Sequence, residues 1–477
     1  MSELRQLTRQ DVLFVGGETA RVYQHTAGFV LLDSSDRPDF NFKVFREHVI
    51  ERVGQIPHFH WKLHEVPLGL DLPYWVDDDN FNYDHHIKRI AVPSPGDRVA
   101  LGELVAHLYS KHLDRSRPLW EIWFIEGLAD GKFAILQKLH HCMMDGEGAS
   151  KLGEIMCDFE ADAPPRKIDH SITSAKAGKT PSPWQQSLNT TAHLASMAFG
   201  VRREVLDFVG PKIRRQLTFK KEPVIAAPVV PRACFNADIS RHRGFVFGSL
   251  PLADIKAIKN YFDVSINDVV IAIVGSSMRA YLLAQDKLPE QSLRIGMPVS
   301  LRSEGDDEFS NKVTNTNVSL ATNLADPRQR LQVIHDETEQ GKKKARGGAR
   351  GLMEIMQMMP PLLVNAMLNV ASPEQTSQLM GLNFIVSSVR GSSAPMYVAG
   401  VKMEGIYPMS IITPGMGINF TCVSYTDNVD FGVAIEPELL PDAWSIIDGL
   451  EVALAEYMAL IRKKTTRRKK TVAGRLQ

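Results

Sequence analysis

Residues 131–146 read GKFAILQKLHHCMMDG. Within 131–139, Phe133, Ile135, Gln137 and Leu139 fall on one face of an extended chain, so the spacing predicts a strand that ends in two imidazoles, His140 and His141. After Gly146, the residues Ala149, Leu152, Ile155, Met156 and Phe159 recur at helical spacing, which sets Asp145 at or just before a helix start. If the extended geometry persists, the two histidines point to opposite faces and only one can serve a given cleft: one reacts and one supports. An imidazole of pKa about 6.5 accepts a proton near neutrality, and a positioned general base is worth roughly 10²–10⁴ in rate. Two plainer readings compete: core histidines with Asp145 as a helix cap and Gly146 as a turn residue, or a metal site. Adjacent strand histidines diverge and no third ligand stands at metal spacing, so no metal is expected. A second pair, His85-His86, has no Asp-Gly after it and is assigned to structure.

Outward from this segment the chain alternates strand-like and helix-like stretches, such as a strand at 26–32 and a helix at 42–53, which indicates an α/β layered domain up to about residue 161. From 162 the composition turns rich in Pro, Ser, Thr, Ala and Lys, a linker or crossover. A helix-like stretch at 184–217 follows, with Leu188, Leu194, Met197, Val201, Val205, Phe208 and Val209 on a loose apolar face that can pack on a core or lie on a membrane. A second half runs over 232–461. Its expected elements are a strand at 243–250, a helix at 269–283 opened by the Ser265/Asp268 capping-box pattern, and a strand at 293–299. Further on come a helical region around 337–359, strands at 383–389, 417–425 and 428–435, and a helix at 443–461. Residues 462–477 form a basic tail.

The totals limit the function classes. The 477 residues carry 55 Lys+Arg against 55 Asp+Glu, and this neutral sum argues against a dedicated nucleic-acid binder. The neutrality hides the tail, where Arg462, Lys463, Lys464, Arg467, Arg468, Lys469, Lys470 and Arg475 occur without an acid; it either binds anionic lipid or is a solvated end. Four scattered cysteines suit a reducing compartment and no disulfide framework. The charged first residues lack a signal-peptide core, and the apolar runs fall short of the roughly 18–20 residues of a spanning helix, so a cytoplasmic protein is expected.

The segment His140 to Gly146 resembles the HHxxxDG motif of the acyltransferase superfamily that includes chloramphenicol acetyltransferase-like enzymes and peptide-synthetase condensation domains. Residues 113–121, LDRSRPLWE, resemble the PLW block of the bacterial wax ester synthase/diacylglycerol acyltransferase family, and Asn267-Asp268 resembles its Asn-Asp helix start. The pattern from Ser424-Tyr425 to Pro441-Asp442 is similar to its C-terminal strand pair and helix. The resemblance implies an α/β fold (α+β layered) of two chloramphenicol acetyltransferase-like halves with an active-site tunnel at their junction. It implies O-acyl transfer from a fatty acyl-CoA co-substrate to diacylglycerol or a long-chain alcohol, with no other cofactor, at a peripheral membrane or lipid-droplet surface. On that basis His141 is the expected base, His140 its support, Asp145 a structural orienter and Gly146 the turn. Pro118, Leu119, Trp120 and Asn267 are candidate substrate contacts, Asn267 serving equally well as a helix-start residue. Condensation-type transfer from a carrier-protein thioester is the alternative. Cys142 is not the expected nucleophile, because the superfamily transfers acyl groups directly. Residues 387–392, SSVRGS, depart from the family's Asn-Val-Pro-Gly-Pro stretch and leave the acceptor preference open.

Overall fold

The computed structural model describes residues 5–67, 71–143, 153, 155–163, 180–192, 230–300, 313–346 and 372–473. Two six-stranded sheets organise them. The first has the order β11-β12-β1-β6-β5-β4, with β1 His25–Asp33, β4 Ile87–Ala91, β5 Trp120–Glu126, β6 Phe133–His140, β11 Tyr397–Val398 and β12 Val401–Met409. The second has the order β7-β14-β13-β10-β8-β9, with β7 Gly244–Pro251, β8 Arg294–Ser300, β9 Val313–Ser319, β10 Phe384–Arg390, β13 Ile418–Tyr425 and β14 Asn428–Ile435. A small hairpin, β2 Trp61–His64 with β3 Tyr74–Asp77, sits beside the first sheet. This is the layered two-half α/β architecture expected from the sequence.

Local chemistry places the helices. Asn41 caps Phe42–Val53 and Asp97 caps Arg98–Tyr109, each accepting two backbone N–H groups of the first turn. The Ile266–Ala284 helix starts on a complete capping box, Ser265 with Asp268. It is long and apolar enough to span a bilayer, yet it is the central helix of the second half, with Val269 to Val274 all essentially unexposed. The helical region expected around 337–359 begins earlier, at Pro327, and runs to Arg346. The closing helix runs from Trp444 to Ala473, so its backbone extends past the expected end at 461 through Arg462 to Lys470 of the basic strip.

Strand β12 is the element that joins the halves. It follows β10 and β11 in sequence but pairs antiparallel with β1, from Ala27↔Met409 to Asp33↔Lys402, and so completes the first sheet with chain from the second half. Its Ile406 N–H donates to Asp430 of β14 at 2.9 Å. A Cβ added to Gly432 of β14 would overlap the carbonyl oxygen of Pro408, so glycine is what lets the two sheets approach there. Around this seam Phe29, Leu136, Phe245, Phe247, Tyr407 and Ala434 form one apolar cluster. The Arg98–Tyr109 helix of the first half packs on it, with Gly102 set against the Phe245 carbonyl of β7.

Candidate active site

Strand β6 stops at His140, where the backbone turns: Met143 N–H donates to the His140 carbonyl at 2.9 Å. The turn is held from two sides. His140 N–H donates to the Leu119 carbonyl (3.0 Å) and His141 N–H to the Gln24 carbonyl (2.8 Å). Extended geometry therefore ends at His140, and the two imidazoles meet the Arg9–Gly17 helix and its C-cap residue Glu18. His141 stacks on Phe14, ring centroids 4.0 Å apart and 9° from parallel, while His140 Nε2 lies 3.8 Å from the Glu18 carboxylate. Phe14 lies within that helix, and Glu18 is its C-cap residue, where the backbone has turned extended.

The two histidines have different environments. His140 is 1% exposed, and its Nδ1 accepts the Cys142 N–H at 3.2 Å, which fixes the proton on Nε2. Burial, with Arg115, His141 and His112 adding to it, pushes its pKa down to about 3, so it is a neutral imidazole. His141 is only partly buried. Around His140 stands a charged group that sequence reasoning did not single out. Glu18, its side chain 5% exposed, pairs with His112 (3.0 Å) and approaches Arg115 (3.9 Å). Arg115 also reaches Glu65 at 3.0 Å and the Val15 carbonyl at 3.3 Å. Arg115 belongs to the 113–121 block, and that block was the available signal; nothing in the sequence marked Glu18 as its partner.

The remaining expected residues fall as follows. Pro118, Leu119 and Trp120 are buried in the first-half core. Trp120 donates its indole N–H to the Phe59 carbonyl at 2.8 Å and stacks on His86, so it reaches the site through packing and through the Leu119 carbonyl rather than as an exposed surface. His86, of the control pair, bonds the Trp120 carbonyl at 2.8 Å. Asn267 donates to Met297 Sδ at 2.8 Å. Its neighbour Asp268 is the group embedded in bonds, accepting from Thr338 (2.6 Å) and Ser265 N–H (2.9 Å) and pairing with His335 (2.8 Å). Asp145 and Gly146 lie outside the described residues, as does 347–359 of the helical region expected around 337–359. Cys142 is 3% exposed in the first-half core, and burial raises its thiol pKa well above the ordinary value. A cavity of about 610 Å³ bordered by Ser249, Pro251, Glu451, Met458 and Arg462 belongs to the second half and shares no residue with the histidine pair. The chemistry, not that cavity, locates the site.

Gly391 in the departing 387–392 stretch keeps a structural reason for glycine, since a Cβ there would meet the Ser424 carbonyl at 2.5 Å. The serines and Arg390 around it are at least partly exposed on the end of β10 and the following turn.

Comparison with known proteins bears on the family and the fold. The family model for the wax ester synthase/diacylglycerol acyltransferase catalytic domain matches residues 7–270, and the model for the WS/DGAT C-terminal domain matches 309–458. The chain is 32% identical to a probable diacylglycerol O-acyltransferase, Tgs1, of Mycobacterium tuberculosis, over 98% of each chain. It is 30% identical to a putative diacylglycerol O-acyltransferase, Rv1760, of the same organism, covering 95% of this chain and 90% of the relative. The wax ester synthase/diacylglycerol acyltransferase from Marinobacter aquaeolei VT8 superposes with a TM-score of 0.70 at 27% identity, covering 95% of this chain and 98% of that one. The starter condensation domain of rhizomide synthetase shares the fold alone, at 12% identity and a TM-score of 0.53. The chain belongs to the wax ester synthase/diacylglycerol acyltransferase family of O-acyltransferases.

Proposed function

We propose that this chain moves a long-chain fatty acyl group directly from acyl-CoA to the hydroxyl of diacylglycerol or of a long-chain alcohol, with His141 as the general base. The carrying observation is the asymmetry of the histidine pair: His140 is sealed and held neutral, whereas His141 sits at the turn, partly exposed. In this reading His141 takes the hydroxyl proton as the oxygen attacks the thioester carbonyl. The tetrahedral adduct then collapses, the carbon–sulfur bond breaks, and the CoA thiolate leaves with the proton returned by His141. No acyl-enzyme is needed. Cys142, buried and with its thiol kept protonated, is poorly suited to act as a nucleophile. The roles of Asp145 as orienter and Gly146 as turn residue rest on the motif alone, and the acceptor is met at a lipid surface on the cytoplasmic side.

The test is CoA release by the purified chain with palmitoyl-CoA, comparing hexadecanol with diolein as acceptor. His141→Ala is expected to lose about 10²–10⁴ in rate with unchanged circular dichroism. Equal turnover by the variant removes His141 from the base role. Turnover with a carrier-protein thioester but not with palmitoyl-CoA favours condensation-type transfer instead.

A further inference from the structure

The helical segment 183–192 is mounted with its apolar side outward. Its start is well specified: Ser182 Oγ accepts the Gln185 N–H (3.3 Å) while Gln185 Oε1 accepts the Ser182 N–H (3.1 Å), with Pro183 at the first helical position. Two amides then hold the segment to the β2–β3 hairpin. Gln186 Nε2 meets His64 Nε2 at 3.4 Å, and Asn189 Nδ2 donates to the Tyr74 hydroxyl at 3.2 Å. On a helix, Gln186 and Asn189 share one side, and Trp184 and Leu188, one turn apart, share the other. Trp184 is 72% exposed and Leu188 52%. The other large exposed apolar side chains, such as Val452, Leu379 and Leu283, stand singly on separate elements, which is ordinary for a protein surface.

A soluble surface helix turns its apolar stripe to the core. Here the polar stripe is used for attachment, so the exposure of Trp184 and Leu188 follows from how the helix is anchored. Charge indicates what they meet. No Lys, Arg, Asp, Glu or His occurs in 180–192, whereas the crossover as a whole, 162–231, carries eleven Lys or Arg against five Asp or Glu in a chain whose total is zero. An uncharged apolar pair in a stretch whose sequence carries this cationic excess matches the headgroup boundary of an anionic bilayer: indole and leucine suit the interface, and a cationic sequence favours lipid phosphates.

We propose that the Trp184–Leu188 face is the surface by which this protein docks on an anionic phospholipid bilayer. The inference deepens the proposed function, because it supplies the place where a water-insoluble acceptor is delivered. The other tryptophans are buried or partly buried, so Trp184 dominates any fluorescence response to lipid.

The test uses the full chain with vesicles of phosphatidylcholine alone or mixed with phosphatidylglycerol, part of the phosphatidylcholine being brominated in its acyl chains. The expected result is flotation with the mixed vesicles and quenching of tryptophan emission by the brominated lipid. The double variant Trp184→Ser/Leu188→Ser should lower the vesicle partition coefficient about tenfold and lose the quenching. Trp184→Phe should keep flotation and lose only the quenching. CoA release with a water-soluble short-chain alcohol should be equal in wild type and both variants, while release with vesicle-borne diacylglycerol falls in the double variant. Unchanged flotation of the double variant overturns the proposal, as does equal binding of the wild type to phosphatidylcholine alone. A wild-type dimer that dissociates in the double variant, with flotation unchanged, assigns the face to a second copy of the chain and overturns it too. Failure of the wild type to release CoA with any acceptor strikes the proposed function instead and leaves the flotation result to decide the docking surface.

Discussion

Glu18 is the residue whose placement most changes the reading of the histidine pair. A carboxylate whose side chain is 5% exposed, between His112, Arg115 and the edge of His140, fixes three groups at once. Glu18→Gln keeps the shape and removes the charge, so Arg115 and His112 lose their shared anchor while the packing of Phe14 on His141 persists. The expected outcome is a fall of about tenfold to a hundredfold in kcat, since small displacements of a reacting group are costly, with thermal stability nearly unchanged. A kcat equal to wild type would show that the cluster does not position the site. The pair itself was legible because four fixed positions, His140, His141, Asp145 and Gly146, fall in a seven-residue window, while which histidine reacts is what the family resemblance implies. Glu18 was not legible. Its sequence separation from His140 is bridged only by tertiary packing, and its own neighbourhood, VGGETA, looks like an ordinary helix end.

At the level of elements, the features read correctly were those written in local chemistry, and the missed ones depend on distant partners. The Ser265/Asp268 box could be seen from two residues three apart, but not that Asp268, fully buried, would also accept from Thr338 and pair with His335 on another helix. Ser265→Ala removes one cap and should cost about 1 kcal/mol in urea unfolding. Asp268→Ala removes the partner of His335 and one of the two acceptors of Thr338 and should cost about 3 kcal/mol. Equal effects would mean the long-range bonds contribute nothing. Strand β12 escaped notice because VKMEGIYPM has a glycine and a proline inside it. Its proline is tolerated because β11 pairs only with Val401 and Lys402, leaving Pro408 no ladder partner on that side. The close approach of Gly432 to the Pro408 carbonyl makes Gly432→Ala a test of how firmly the halves are joined. It should destabilise by about 3 kcal/mol or more, read as lost soluble yield and a lower urea midpoint.

Over the whole molecule, buried neutral histidines set the response to acid. His140 has its pKa pushed down to about 3 and His58 to about 4, both first by burial, and burial also lowers His25 well below the ordinary value. In each case the unfolded chain binds the proton more readily than the folded one. Their contribution is therefore intact above the unfolded value of about 6.5 and is lost as pH falls below it, at about 1.4 kcal/mol per group per pH unit. Asp430 works in the opposite direction. Burial raises its carboxyl to about 6, so protonation below that value stabilises the fold and returns just under about 1 kcal/mol by pH 5.5. His140 and His58 lose about 2.5 kcal/mol over the same interval, His25 adds in the same direction, and the loss prevails. Against a typical stability of about 5–15 kcal/mol this is a large fraction. The first thermal transition is accordingly expected to fall by on the order of 5 °C between pH 7.0 and pH 5.5 at constant ionic strength. Asp430→Asn, which removes the opposing titration, should steepen that fall, and a transition temperature independent of pH over this window would mean that these imidazoles are hydrated in the folded protein.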